Sequence, residues 1–154
     1  MAEDKEKILS SIQVVCFKIK DEEYGIEILK VQEILKLPKI TTLPNSVDFI
    51  MGVFDLRGTV IPIVDLSTKF GITNHDSTKS TRAIVVNIGG KLLGLAIDSV
   101  SHVVKVDEKD IEPPPPVVKG ISGRYIIGIG KVEEEFIVIL DIEKIFSSEE
   151  IEKM

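Results

Sequence analysis

The chain has no tryptophan, one cysteine, two histidines and only 5% aromatic residues among its 154 positions. Each shortage excludes something. A single thiol, Cys16, permits no intramolecular disulfide and no thiol cluster for zinc. So few aromatics make poor stacking platforms for single-stranded nucleic acid. Positive charge is also short. Nineteen Lys and Arg stand against 25 Asp and Glu, a formal net charge of −6, with no basic cluster to hold a phosphate backbone. No apolar run approaches the ~20 residues of a membrane-spanning helix. The start, "MAEDKEKILSS", lacks the basic opening and apolar run of a signal peptide. A reduced, cytoplasmic location is the expectation.

What is present is a chain 44% hydrophobic and 29% charged, of a length suited to one domain with its own core. Short Val/Ile-rich runs recur, among them "IQVVCFKI", "TVIPIVDL", "RAIVVNIG", "KLLGLAI" and "EFIVIL", separated by polar turns such as "KDEE", "RGT" and "GGK". That spacing predicts a mainly β fold, a sandwich or small barrels. Helical signal is confined to residues 2–9, to "DLSTKFG" led by Asp65 as N-cap, and to 141–154 led by Asp141.

The runs repeat. Residues 11–36 align without a gap to 80–105, matching Gly25 with Gly94 at a shift of 69, and 60–70 align to 136–146 at a shift of 76. The second half therefore holds seven extra residues, in the region of "EPPPP". Chance agreement among Val/Ile-rich strands is the alternative. The repeat reading divides the single domain 1–154 into units at 11–79 and 80–146, with a C-terminal helix over 141–154. Units of about seventy residues are marginal alone and are expected to share a core.

Nothing in the sequence assembles a catalytic constellation. His75 lies in a polar loop, and His102 takes the place that Glu33 holds in the first half, with no orienting partner evident. Cys16 has apolar neighbours and reads as buried structure. "GIGKV" at 128–132 and "GISG" at 120–123 lack the spacing of a phosphate loop. Asp65 and Asp141 are explained by helix capping. "PPPP" at 113–116 reads as a stiff extended connector, or as a rigid edge that a partner touches. Val31 and Glu33 fall on one face of an extended strand.

The turn inside "GVFDLRGTVIPIVDL" (52–66) is less easily explained. A tight hairpin accounts for Gly58, because such turns require positive φ. Arg57 is not required by the turn, and its counterpart at a shift of 76 is Glu133. Arginine is enriched at binding hot spots and its planar fork suits carboxylates. A partner contact and a solvated turn residue both remain open on this reading.

The segments "KVQEIL", "FIMGVFDLRGTVIPIVDLSTKFG", "LGLAIDSVSHVVKV" and "GIGKVEEEFIVILDIEKIF" together resemble the CheW family, the chemotaxis adaptors, in order over nearly the whole chain. Asp55 stands where that family most often has Asn. The resemblance implies two similar five-stranded SH3-like β-barrels packed together, with short helices at the termini and after the first barrel. It implies no enzymatic activity and no cofactor or metal. It implies an adaptor, monomeric alone, that couples the cytoplasmic tip of transmembrane chemoreceptors to the regulatory domain of the histidine kinase CheA. Such an adaptor reaches the inner face of the membrane through receptors and contacts no nucleic acid. Carried over by motif, Val31, Glu33, Arg57 and Gly58 are receptor- or kinase-binding residues, and Glu112 and Val117 a second kinase contact.

Overall fold

The computed structural model describes residues 11–44, 47–72, 81–118 and 121–154; the helix expected at 2–9 and His75 lie outside them. The first half forms β1 (Ser11–Ile19), β2 (Glu22–Glu27), β3 (Val31–Lys36), β4 (Ile50–Leu56), β5 (Thr59–Asp65) and α1 (Leu66–Lys69). The second forms β6 (Arg82–Ile88), β7 (Lys91–Ile97), β8 (Ser99–Asp107), β9 (Ile111–Glu112), β10 (Val117–Val118), β11 (Ile121–Ser122), β12 (Ile126–Val132), β13 (Glu135–Leu140) and α2 (Ile142–Ile145), then α3 (Ser148–Lys153). β1, β2 and β3 correspond to β6, β7 and β8, and β4, β5 and α1 correspond to β12, β13 and α2, at the shifts read from sequence. The seven-residue excess falls where β9, β10 and β11 lie.

Among the loops the structure describes, four tight hairpins organise both halves. Each has a two-residue loop: Lys20-Asp21, Arg57-Gly58, Gly89-Gly90 and Glu133-Glu134. The first loop residue is left-handed in all four, with φ of 58°, 50°, 58° and 58°. That hand matches the twist of the flanking strands.

The sheets do not follow the halves, and this corrects the expectation that 11–79 and 80–146 each make a barrel. One sheet runs β8-β1-β2-β13-β12-β9 and the other β3-β6-β7-β5-β4. In repeat terms both have the order 3-1-2-5-4. The first two strands come from one half and the other three from its twin. The boundary near residue 80 separates repeats, not sheets. The exchange is made by the parallel pairs β2–β13 and β5–β7 and by the antiparallel pairs β1–β8 and β3–β6. The first sheet also gains a sixth strand, β9, from the insertion.

Apolar side chains sort accordingly. A large cluster draws on both sheets, including Phe17, Tyr24, Ile26, Ile84, Leu93 and Leu140. Each sheet also holds its own smaller cluster: Val14, Cys16, Val106, Ile137 and Ile139 in one, Phe54, Ile61, Ile63, Ala83, Val85 and Ala96 in the other. Both sheets curl. Edge strand β8 approaches β12 so closely that a Cβ on Gly130 would lie 3.2 Å from Val106 Cγ1. In the twin sheet the edge strands β3 and β4 are linked by side chains described below.

The capping roles of Asp65 and Asp141 hold. Asp65 Oδ1 accepts from Ser67 N at 3.0 Å, and Asp141 Oδ1 from Glu143 N at 3.2 Å. The C-terminal helix is not continuous over 141–154. Phe146 is extended (φ −112°, ψ 137°) and buried, and Ser147 opens a second helix with a capping box. Ser147 N donates to Glu150 Oε1 at 2.8 Å and Glu150 N to Ser147 Oγ at 3.1 Å. The "SSEE" at 147–150 carries this start signal.

Candidate functional site

Arg57 and Gly58 form the loop between β4 and β5, with φ of 50° and 90°. Two consecutive positive values make the turn the type that favours glycine at its second position. Arg57 holds the left-handed backbone without being glycine, at a cost of roughly 1–2 kcal/mol. Lys20 and Glu133 hold it too, so the turn itself sets the conformation, and the Arg57 side chain adds a link across the sheet. Nη1 donates to Glu33 Oε1 at 3.1 Å and Nη2 donates to Glu33 Oε2, a two-pronged ion pair. The pair joins β3 to the tip of β4, the two edges of one sheet. The Arg57 side chain stays 68% exposed and that of Glu33 24%. The hydrogen bond from Arg57 holds the Glu33 carboxyl below its usual range, and Glu33 in turn raises the guanidinium. Two of the five N–H donors of Arg57 are engaged by Glu33.

Val31 does not join this pair. A bulge at Gln32 interrupts the register between Val31 and Glu33, so simple alternation fails. Val31 packs on the large central cluster while Glu33 reaches Arg57. The twin strand repeats the device. The register against β1 shifts around Ser101, and Val100 also packs centrally. Val31 and Glu33 are therefore neighbours in sequence with different duties.

Beside the hairpin lies an open cleft of about 490 Å³ lined by Pro38, Lys39, Thr41, Val53, Phe54, Asp55 and Val60. Val60 is 66% exposed, and its repeat counterpart Phe136 is 63% exposed. The sequence reading singled out neither. Their signal was their matched position ahead of each buried strand core in the 60–70 and 136–146 alignment.

Glu112 and Val117 lie elsewhere. Glu112 is exposed on β9, paired with Ile129, and Val117 is on β10, paired with Ser122. The proline run separates them. It packs on Gly123, whose N–H donates to Pro116 O at 2.7 Å, and a Cβ there would fall 2.5 Å from Pro115 O. The backbone contact thus accounts for the last glycine of "GISG".

His102 has a neighbour that sequence did not reveal. Its Nδ1 lies 3.9 Å from Glu23 Oε1, because β8 and β2 both flank β1. Lys69 was also missed. Its ammonium pairs with Glu150 Oε2 at 2.9 Å and lies 4.9 Å from the centre of the Phe49 ring, fastening α3 to the body.

The sequence pattern of the family described as the CheW-like domain matches residues 13–150. A chemotaxis protein CheW of Klebsiella aerogenes is 39% identical over 139 residues, covering 90% of this chain and 84% of that protein. A chemotaxis protein CheW of Helicobacter pylori is 35% identical over 147 residues, covering 96% and 87%. The crystal structure of the scaffolding protein TtCheW from Thermoanaerobacter tengcongensis superposes with a TM-score of 0.83 at 37% identity, over 90% of each chain. Its fold agrees with the mainly β, two-sheet architecture found here.

Proposed function

This chain belongs to the CheW-like family, a family of non-catalytic chemotaxis proteins, and from that premise we propose that it couples transmembrane chemoreceptors to the histidine kinase CheA. It works by binding two partners at once, without turnover. On this reading it is a cytoplasmic monomer, brought to the inner face of the membrane by receptors, and it needs no cofactor.

The observation that carries the reading is the Glu33–Arg57 pair. A bidentate ion pair presents a largely exposed guanidinium at a rigid hairpin tip, beside an open apolar cleft. A two-residue loop does not demand that arrangement, because the twin hairpin closes over the same length with Glu133 and Glu134, left-handed at Glu133 alone. A preorganised arginine with donors to spare suits carboxylates on a partner helix. Val31 acts from beneath, as packing that seats β3. Glu112, exposed on β9, and Val117, on β10, belong to a second kinase contact.

The test is titration of the full chain with a cytoplasmic-tip fragment of a chemoreceptor from the same organism. Wild type is expected to bind saturably. Arg57→Ala is expected to bind about 30-fold more weakly, the equivalent of ~2 kcal/mol at a hot spot. It is expected to keep the fold and a cooperative unfolding transition, because an exposed ion pair contributes little to stability. Failure of the folded wild type to bind contradicts the coupling role. Undiminished binding by Arg57→Ala removes the arginine from the interface.

A further inference from the structure

The two curled sheets are built alike, but their mouths differ. In one, the pair Glu33 and Arg57 bridges the edges. The repeat equivalents in the other are His102 and Glu133, which line a cavity of about 260 Å³ with Val104, Val132, Glu135 and Ile137. No lysine or arginine is among the described residues that line it. Ile137 also belongs to the apolar cluster that contains Cys16, so this cavity and the buried thiol share a wall.

Three metal-ligand side chains of different chemistry meet at His102, one of the residues lining this cavity. Cys16 Sγ, a carboxylate oxygen of Glu23 and an imidazole nitrogen of His102 all lie within 4.8 Å of one another. The His102 Nδ1 to Glu23 Oε1 distance is 3.9 Å. Donors around a tetrahedral zinc ion, at 2.0–2.3 Å from it, stand about 3.3 to 3.6 Å from each other. Side-chain rotations that shorten these separations by about 0.5 to 1.5 Å close that difference. The three residues sit on adjacent strands, β8, β1 and β2, with Cys16 directly opposite both His102 and Gly25 in the ladders. The fold itself does not ask for this set. The repeat counterparts of Cys16, Glu23 and Glu135 in the twin sheet are Val85, Leu92 and Thr59, and that sheet folds in the same order.

We propose that Cys16, Glu23 and His102 form a binding site for a thiophilic divalent metal ion of the zinc class, with Glu135 or a water as fourth ligand. A thiol–imidazole–carboxylate set favours zinc-like ions over calcium or magnesium, which take oxygen ligands. Binding converts the Cys16 thiol to a metal thiolate and releases its proton to solvent. Without the ion, burial and the carboxylates of Glu23 and Glu135 push that thiol up to about 12. A cation among the same carboxylates reverses the balance. The ligands are scattered in sequence, and only strand pairing assembles them.

The test is anaerobic titration of the full chain with cobalt(II), followed by displacement with zinc. The expected result is a thiolate-to-cobalt charge-transfer band in the near ultraviolet that saturates at one ion per chain and is removed by zinc. His102→Ala alters an exposed residue and leaves the fold intact; it is expected to weaken zinc binding at least about tenfold, and Glu23→Gln likewise. Cys16→Ala is expected to abolish the band. A folded wild-type chain without the band, or zinc binding undiminished by His102→Ala, overturns the proposal.

Discussion

At the scale of single residues, Arg57 and Tyr24 stand out. Arg57 shares its left-handed backbone with Lys20 and Glu133 and in addition holds Glu33 in a two-pronged ion pair. Tyr24 is fully buried, between the rings of Phe17 and Phe70, and burial pushes its phenol up. Its hydroxyl is, among the described residues, the one buried side-chain polar atom without a hydrogen-bond partner. An unmet buried hydroxyl costs roughly 1–3 kcal/mol. Tyr24→Phe is therefore expected to match or exceed wild-type stability in urea unfolding, with no change in slope; a loss of more than ~1 kcal/mol means that the hydroxyl is satisfied. Gly58 was legible in the sequence because φ > 0 is a local demand. The Glu33 partner of Arg57 was not, because the two residues meet only when distant edge strands curl together. Glu23 and His102 were not legible either, because they meet only through the pairing of β2 and β8 with β1.

At the scale of elements, the hairpins and caps were legible and the strand partners were not. A two-residue turn between alternating apolar runs declares a hairpin wherever it sits. Nothing local says that β2 pairs with β13 rather than with a strand of its own half. The C-terminal helix shows the opposite error. Asp141 announces a start, and the break at Phe146 is written only in the capping box at Ser147. α3 is secured by Lys69 to Glu150 and by Lys91 Nζ, which donates to Ile151 O at 3.0 Å. Burial alone raises the Glu150 carboxyl, but hydrogen bonds from Ser147 and Lys69 outweigh it and hold the group below its usual range. A depressed carboxylate stabilises the fold above its unfolded pKa, near 4.3, and the contribution disappears as pH falls through the folded value. Glu150→Gln is expected to melt lower than wild type at neutral pH, by up to about 1 kcal/mol, and the gap is expected to close below about pH 4. A gap that persists at lower pH places the effect in packing rather than charge.

At the scale of the whole molecule, the exchange of strands makes the two halves obligatory to one another. Each sheet draws strands from both repeats, and the largest apolar cluster spans both. Fragments 1–79 and 80–154, made separately, are expected to lack cooperative unfolding transitions, and the intact chain to unfold in one. An independently folded half contradicts the exchanged topology. The same exchange fixes the Arg57 hairpin relative to the twin sheet, as the proposed coupling of two partners requires. The repeat itself was visible in the sequence, while its interleaving required knowledge of pairing across more than half of the chain.

The most direct measurement is a calorimetric titration of the full chain with the regulatory domain of the chemotaxis kinase from the same organism. Coupling predicts saturable binding at one to one. An absence of binding, by calorimetry and by co-elution of the two folded proteins, contradicts the adaptor role and leaves a shared fold without a shared partner.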